Sequence, residues 1–330
     1  MTRADENFSF QKKISIITSL IFMVKIAAWT FTHSVAILTD ALEYTINVIA
    51  GFVGLYSLYL SSQPRDENHP YGHGKAEFVS AAFEGIMMVA SCFLIVFEAL
   101  DNLAHPHSFH KLDFGIYLVA ATAFFNFILG IFAIRKGRQN NNLALVASGK
   151  HMQSDTYGTL GIIVGLVALY YTGYSWIDSV ISMVFAVVIF ISGYKILRGS
   201  IAGIMDEADI ELLENVVKYL GEHRRANWMD IHNLRIIKYG SILHLDCHLT
   251  IPWYMNINEG HEEVKSLENM VRENFGEHVE MFVHTDGCLP QCCAVCTLKN
   301  CAERKSDFER RIDWNVKNVS FNSKHTILLN

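Results

Sequence analysis

Six long apolar stretches occupy the first two thirds of the chain, at about residues 14–32, 36–60, 78–101, 113–135, 144–171 and 176–197. Each reaches the roughly 20 residues that an α-helix needs to cross the hydrocarbon of a bilayer. The second ends at "SSQPRDENHPYGHG", where two prolines and two glycines stop a continuing helix. Beyond about residue 200 the pattern changes. "DEADIELLENVVKYLGEH" sets apolar residues at helical spacing among acids, and "INEGHEEVKSLENMVRENFG" does so again. "IHNLRIIKYG", "ILHLDCHLTI" and "HVEMFVHTD" alternate as strands, the first two joined by a turn at Tyr239, Gly240 and Ser241. The predicted order α-β-β-α-β makes a small α+β domain with helices on one face of a sheet. The polar, mixed stretch after Cys301 predicts no element.

Lysine and arginine orient the six predicted spans. With the N-terminus inside, the inner segments hold Arg3, Lys12, Lys13, Arg65, Lys75, Arg135, Lys136, Arg138, Lys195 and Arg198, and the outer loops hold Lys111. That asymmetry places both termini in the cytoplasm. Composition agrees with a membrane protein: 51% of the 330 residues are hydrophobic, 18% are charged, and the mean hydropathy is positive. A net charge of −6 without a basic stripe argues against nucleic acid as a partner. The first apolar run follows a long polar segment and lacks a small-residue cleavage site, so it reads as a retained helix. Three regions are expected: a membrane domain at 1–200, a cytosolic domain at 201–287, and a cysteine-rich segment with the tail at 288–330.

The apolar runs carry polar residues that hydrocarbon penalises without a partner. His151 and Asp155 stand four apart in the fifth, hence on one helical face; Asp40, Glu43 and Asn47 share a face of the second. Imidazole and carboxylate donors on two helices suit a tetrahedral site for zinc or another first-row divalent ion. The competing reading is a hydrogen-bonded network that holds the helices together. Lys25 reads as a snorkelling side chain. Glu84 and Asn126 read as interhelical hydrogen-bonding residues, with a wetted cavity at Glu84 as the alternative. His105, His107 and His110 cluster in an outer loop.

The stretches "SVAILTDALEYTIN", "QPRDENHPYGHGKAE" and "HMQSD" resemble the cation diffusion facilitator family of metal-efflux transporters, over about residues 10 to 290. The resemblance implies six transmembrane helices, a cytosolic ferredoxin-like domain and a homodimer that exchanges divalent cations for protons by alternating access. It implies a transport site of Glu43 and Asn47 from the second span with His151 and Asp155 from the fifth, and Asp40 as a further candidate. Family members usually have Asp or His, then Asp, on the second span; Glu43 and Asn47 depart from that and bear on metal choice. Zinc is the expected cargo, with iron(II) and manganese(II) as alternatives.

Further sites follow from the same resemblance. Asp66, His69 and His73 match a loop metal site, set against the plainer reading of a solvated polar loop, and Lys75 is expected to pair with Asp206. His232, His248, His261, His284 and Asp286 match cytosolic metal ligands near a dimer contact. The resemblance leaves the cysteines undecided. Five of seven fall between Cys288 and Cys301: Cys288, Cys292, Cys293, Cys296 and Cys301. Such a run makes a poor disulfide framework and a good soft site for zinc, copper(I) or an iron–sulfur cluster. No organic cofactor is implied. Two rival functions are a membrane-anchored metal sensor or buffer, and a membrane enzyme using the His/Asp pair. The sequence offers the enzyme neither a positioned nucleophile nor a His-Glu-x-x-His motif.

Overall fold

The computed structural model describes residues 3–32, 35–104, 114–172, 176–240, 242–276 and 279–326. The chain forms two compact units, 1–205 and 206–330.

The first unit is helical: α1 (Arg3–Thr32), α2 (Val35–Ser61), α3 (Ala76–Ala104), α4 (Phe114–Gln139), α5 (Leu143–Thr172) and α6 (Trp176–Ile204). Among the described residues, three stretches are long and apolar enough to cross a membrane: Ala76–Asp101, Ala120–Gln139 and Ser179–Ile204. Burial in this unit is inverted relative to a water-soluble bundle. Phe93, Phe97, Phe124, Phe132 and Val184 point outwards, while Gln11, Thr18, Lys25, Glu84, Asn126 and His151 are buried. Apolar residues outside and polar residues inside suit a lipid solvent. Helix α3 packs on α6, α4 on α5, and α1 on α2.

Glycines set two of these crossings. A Cβ on Gly130 or on Gly149 would lie 2.7 Å from the other's carbonyl oxygen, so α4 and α5 touch backbone to backbone. Gly85 and Gly193 do the same for α3 and α6, at 3.1 and 3.2 Å. Small residues permit this approach where no hydrophobic effect drives helices together.

The second unit runs α7 (Ile210–Glu222), β1 (Asp230–Tyr239), β2 (Ile242–Ile251), α8 (Ile257–Phe275) and β3 (Val279–Gly287), in the order predicted. The sheet order is β1-β2-β3, with β1 antiparallel and β3 parallel to β2. Asp209 caps α7 by accepting from the Leu212 amide, and Asn256 with Glu259 forms a capping box on α8. Leu213, Val217 and Leu220 of α7 and Leu267 and Val271 of α8 share a core with Ile231, Leu245, Leu249 and Val279.

The chain after β3 departs from the expectation of an unstructured tail. A 3-10 turn at Pro290–Val295 follows, and a short helix α9 (Val316–Val319) sends Val319 into the core beside Trp314 and Val316. Arg224 anchors the return: its guanidinium donates to the Ile312 carbonyl at 3.0 Å and lies 4.4 Å from the Trp314 ring centroid. The Asn233 amide, at a bulge in β1, donates to the Phe321 carbonyl at 2.7 Å. A handful of apolar anchors fixes a segment that is otherwise polar.

Candidate metal centre

Three helices of the first unit bring donor groups together. On α5, His151 Nε2 lies 3.7 Å from Asp155 Oδ1. From α2, the Asn47 amide donates to Asp155 Oδ2 at 2.6 Å. From α3, Glu84 Oε2 sits 2.5 Å from His151 Nδ1. Glu84 and Asp155 thus address opposite nitrogens of one buried ring. A proton on Nδ1 shared with Glu84 leaves the Nε2 lone pair facing Asp155, where a cation can be held. Asn47, Glu84, His151 and Asp155, with Tyr44 and Asn126, line a cavity of about 20 Å³. The Tyr44 hydroxyl donates to Asn126 at 2.8 Å. Lys25 does not snorkel: it is buried, with its ammonium 4.2 Å from the Tyr44 ring centroid.

The two glycine crossings explain how these groups are held. Gly149 is two residues before His151, and Gly85 directly follows Glu84. Close backbone contacts between helices therefore flank both partners of the shortest bond in the cavity. Asp40 and Glu43 lie on α2 at the expected spacing, but their side chains fall outside the described residues. His105, His107 and His110 fall outside them entirely.

In the loop between α2 and α3, the ligand atoms of Asp66, His69 and His73 lie within 4.8 Å of one another. Asp66 Oδ1 accepts from the His69 amide at 2.7 Å and lies 3.0 Å from His69 Nδ1; its Oδ2 is 3.5 Å from His73 Nε2. Against the opposing pull of desolvation, the hydrogen bonds from His69 hold Asp66 below the usual carboxylate range. Gly72, at φ 89°, supplies the left-handed residue that curls the loop and brings His73 back. The Lys75 ammonium donates to the Ile204 carbonyl at 3.4 Å.

The sheet of the second unit aligns a row of histidines. Side chains alternate along a strand, so with Leu245, Cys247 and Leu249 in the core, His248 faces the other side. His232 pairs with His248 across β1 and β2, and His248 with His284 across β2 and β3. Asp286 lies two residues further along the same face of β3. His232, His248 and Asp286 place ligand atoms within 4.8 Å of one another, a spread that a first-row cation can gather. Asp286 is 3.0 Å from His248 Nδ1, 3.5 Å from His232 Nε2 and 3.9 Å from His284 Nε2. His261 stands exposed on α8 and does not join the group.

The returning tail closes on this row, which the sequence reading missed. Lys324 places its ammonium 3.3 Å from Asp286, and His325 is buried with its ring and amide on Asp230. Although burial opposes it, hydrogen bonds from His232 and His325 hold Asp230 far below the usual carboxylate range. Asp286 is lowered too: desolvation is outweighed by His248 and Lys324. The sequence held no distinguishing signal for this contact, because Lys324 and His325 are two of several basic residues after Cys301. The five cysteines after β3 are free thiols lining one cavity, and among the described residues their sulfurs do not form a group as tight as the two above.

Comparison with known proteins agrees with this architecture. Residues 13–205 match the family model for a cation efflux transmembrane domain, and 209–288 match that for a cation efflux protein's cytoplasmic domain. An uncharacterised transporter of Synechocystis is 27% identical over 76% of this chain and 81% of its own length. The manganese efflux system protein MneP of Bacillus subtilis is 24% identical over 86% and 98%. The cation-efflux pump FieF of Shewanella oneidensis is 23% identical over 83% and 92%. With its helical unit matched from α1 to the end of α6 and its sheet unit through β3, the chain belongs to the cation diffusion facilitator family: an integral-membrane cation-efflux transporter, and not an enzyme.

Proposed function

We propose that this transporter is a homodimer of six-span protomers, with both termini and a ferredoxin-like domain in the cytoplasm, that expels divalent transition-metal cations in exchange for protons. The observation that carries this reading is the meeting of Asn47 with Asp155 and His151 in a buried cavity between α2 and α5. Glu43 is the fourth ligand by its place on α2, one turn before Asn47, and Asp40 lies a further turn towards the N-terminal end.

The chemistry follows from the donors. Imidazole binds metal only when the ligating nitrogen is unprotonated, so a proton and a cation compete for His151 Nε2. Asp155 and Glu43 neutralise the cation and are available to protons once it leaves. Asn47 now donates to Asp155; to bind metal it must turn its carbonyl oxygen inward, which frees Asp155 as a ligand. Exchange at one site from two sides is alternating access. The loop group at Asp66, His69 and His73 and the sheet group at His232, His248 and Asp286, with His284 beside it, are proposed as cytoplasmic metal sites that bias the exchange.

Zinc is the first candidate cargo, because a four-ligand imidazole and carboxylate set suits it. Manganese(II) is a second reading, favoured by the oxygen-rich donor set and by the relative named for manganese efflux; iron(II) shares that donor preference. The test is flux in proteoliposomes holding a pH-sensitive dye, with zinc, iron(II), manganese(II) and cadmium in parallel. His151→Ala and Asp155→Ala should each abolish metal-driven proton movement, and Asn47→Asp should reorder the metals. Unimpaired antiport in both alanine variants overturns the site. Metal binding without net flux in the unaltered protein returns it to a sensor or buffer.

A further inference from the structure

We propose that Cys288, Cys293, Cys296 and Cys301 form a four-thiolate site for a single thiophilic divalent cation of the zinc and cadmium kind. Three of its four cysteines lie in the extension beyond the family models, the second of which ends at residue 288. The proposal does not depend on the transport reading.

The spacing is the first support. Cys288-x4-Cys293-x2-Cys296-x4-Cys301 stays within the short intervals typical of structural zinc ligands, with a Cys-x-x-Cys knuckle at its centre. The fold then turns the sequence into a cavity. The Cys288 amide donates to the Ile251 carbonyl at 2.9 Å, fixing the first cysteine where β3 ends beside β2. Pro290–Val295 makes a 3-10 turn, and the Cys296 amide returns to the Cys293 carbonyl at 3.3 Å. Arg304 clamps the other side: its guanidinium donates to the carbonyls of Cys293 at 2.8 Å, Cys296 at 3.1 Å and Leu298 at 2.7 Å. All of the cysteines are free thiols, and they line one cavity of about 50 Å³. A space of that order takes one ion, whereas an iron–sulfur cluster brings bulky sulfides of its own.

Donors already point at the sulfurs. The Lys305 amide reaches Cys293 Sγ at 3.4 Å, and the Tyr254 hydroxyl reaches Cys301 Sγ at 3.7 Å. Such hydrogen bonds stabilise thiolate. Four thiolates around a divalent ion carry a net charge of −2; Arg304 and Lys305 line the cavity against it, with Glu303 the one opposing carboxylate there.

The fifth cysteine separates from the set. Cys288 is fixed at the end of β3 by its amide and Cys293 and Cys296 are fixed by Arg304 at their carbonyls, which sets these three with Cys301 around one cavity. Cys292 is buried and stands outside the Cys-x-x-Cys pair, whereas the neighbouring Cys293 is half-buried and takes the Lys305 amide at its sulfur. A closed tetrahedral sulfur set has edges of about 3.8 Å, from a Zn–S bond of about 2.3 Å. The thiols therefore draw inward by side-chain rotation as the ion binds and four protons leave.

The experiment uses the full-length protein in detergent, stripped with a chelator and titrated with cadmium. Sulfur-to-cadmium charge-transfer absorbance should rise and saturate at one equivalent per chain, a signal that histidine and carboxylate sites do not produce. In the unaltered protein, bound cadmium should slow alkylation of Cys288, Cys293, Cys296 and Cys301 at least tenfold, read by mass spectrometry, and chelator should restore it. Cys292→Ser should keep the band, and Cys293→Ser with Cys296→Ser should remove it. Absence of the band, unchanged alkylation of the four thiols, its loss in Cys292→Ser, or iron and sulfide in the purified protein each overturn the proposal.

Discussion

At the scale of single residues, Glu84 carries as much weight as the proposed ligand His151 that it stands behind. A histidine that binds metal through Nε2 is oriented by what its Nδ1 proton meets, and here that is a buried carboxylate at 2.5 Å. Removing the charge while keeping the shape isolates the effect. Glu84→Gln should weaken cation binding at the α2–α5 site about 10- to 100-fold, the usual cost of losing such a partner. Calorimetric titration of the detergent-solubilised protein checks this, preferably in a background lacking His248 and Asp286 so that the sheet site is silent. An unchanged affinity would show that Glu84 merely fills space. Sequence alone assigned Glu84 interhelical hydrogen bonding or a wetted cavity but not its pairing with His151, because a helical wheel gives the face of α3 but not the neighbour that it meets. His151, Asp155 and Asn47 were legible by contrast: each pair recurs at helical spacing within one run, and a span tolerates such groups only for a reason.

Elements account for why that geometry holds. Gly130 and Gly149 press α4 and α5 together, and there is no room for a methyl group between them. Gly149→Ala should force the helices apart at a cost of about 1–3 kcal/mol, the range for overpacking a tight contact. The expected readouts are a lower thermal midpoint in detergent and slower metal flux, because His151 lies half a turn away. Gly199→Ala is the control, since no atom lies within 4 Å of its built Cβ; equal losses in the two variants would remove the crossing from the explanation. The strands were more legible than the helix contacts. Alternation assigned the faces of β1, β2 and β3, and only the register was needed to bring His232, His248 and His284 into a row. The tail was not legible: Ile312, Trp314, Val316 and Val319 are too few for a periodic signal, and the groups they meet lie about 70 or more residues earlier, at Arg224, Asn233 and β1.

At the scale of the whole molecule, charge is the argument for the proposed orientation. Ten lysines and arginines fall on one side of the six runs and one on the other. Positive residues near span ends are retained on the cytoplasmic side, so the bias predicts orientation independently of any site chemistry. In the proposed antiport it would also give the exchange its direction: with the sheet unit inside, the loop at Asp66, His69 and His73 would lie on the loading side, and an inward proton gradient would drive cations out. The orientation can be tested without measuring transport. In a variant with its seven native cysteines replaced by serine, a cysteine at Lys111 should react with a membrane-impermeant maleimide on intact cells. A cysteine at Lys12 or Lys305 in the same background should react only after the membrane is opened. Labelling of Lys305→Cys on intact cells would invert the topology, and the loading side with it, while leaving the cavity between α2 and α5 as it stands. The charge count and the donor geometry are thus separate arguments, and each fails on its own measurement.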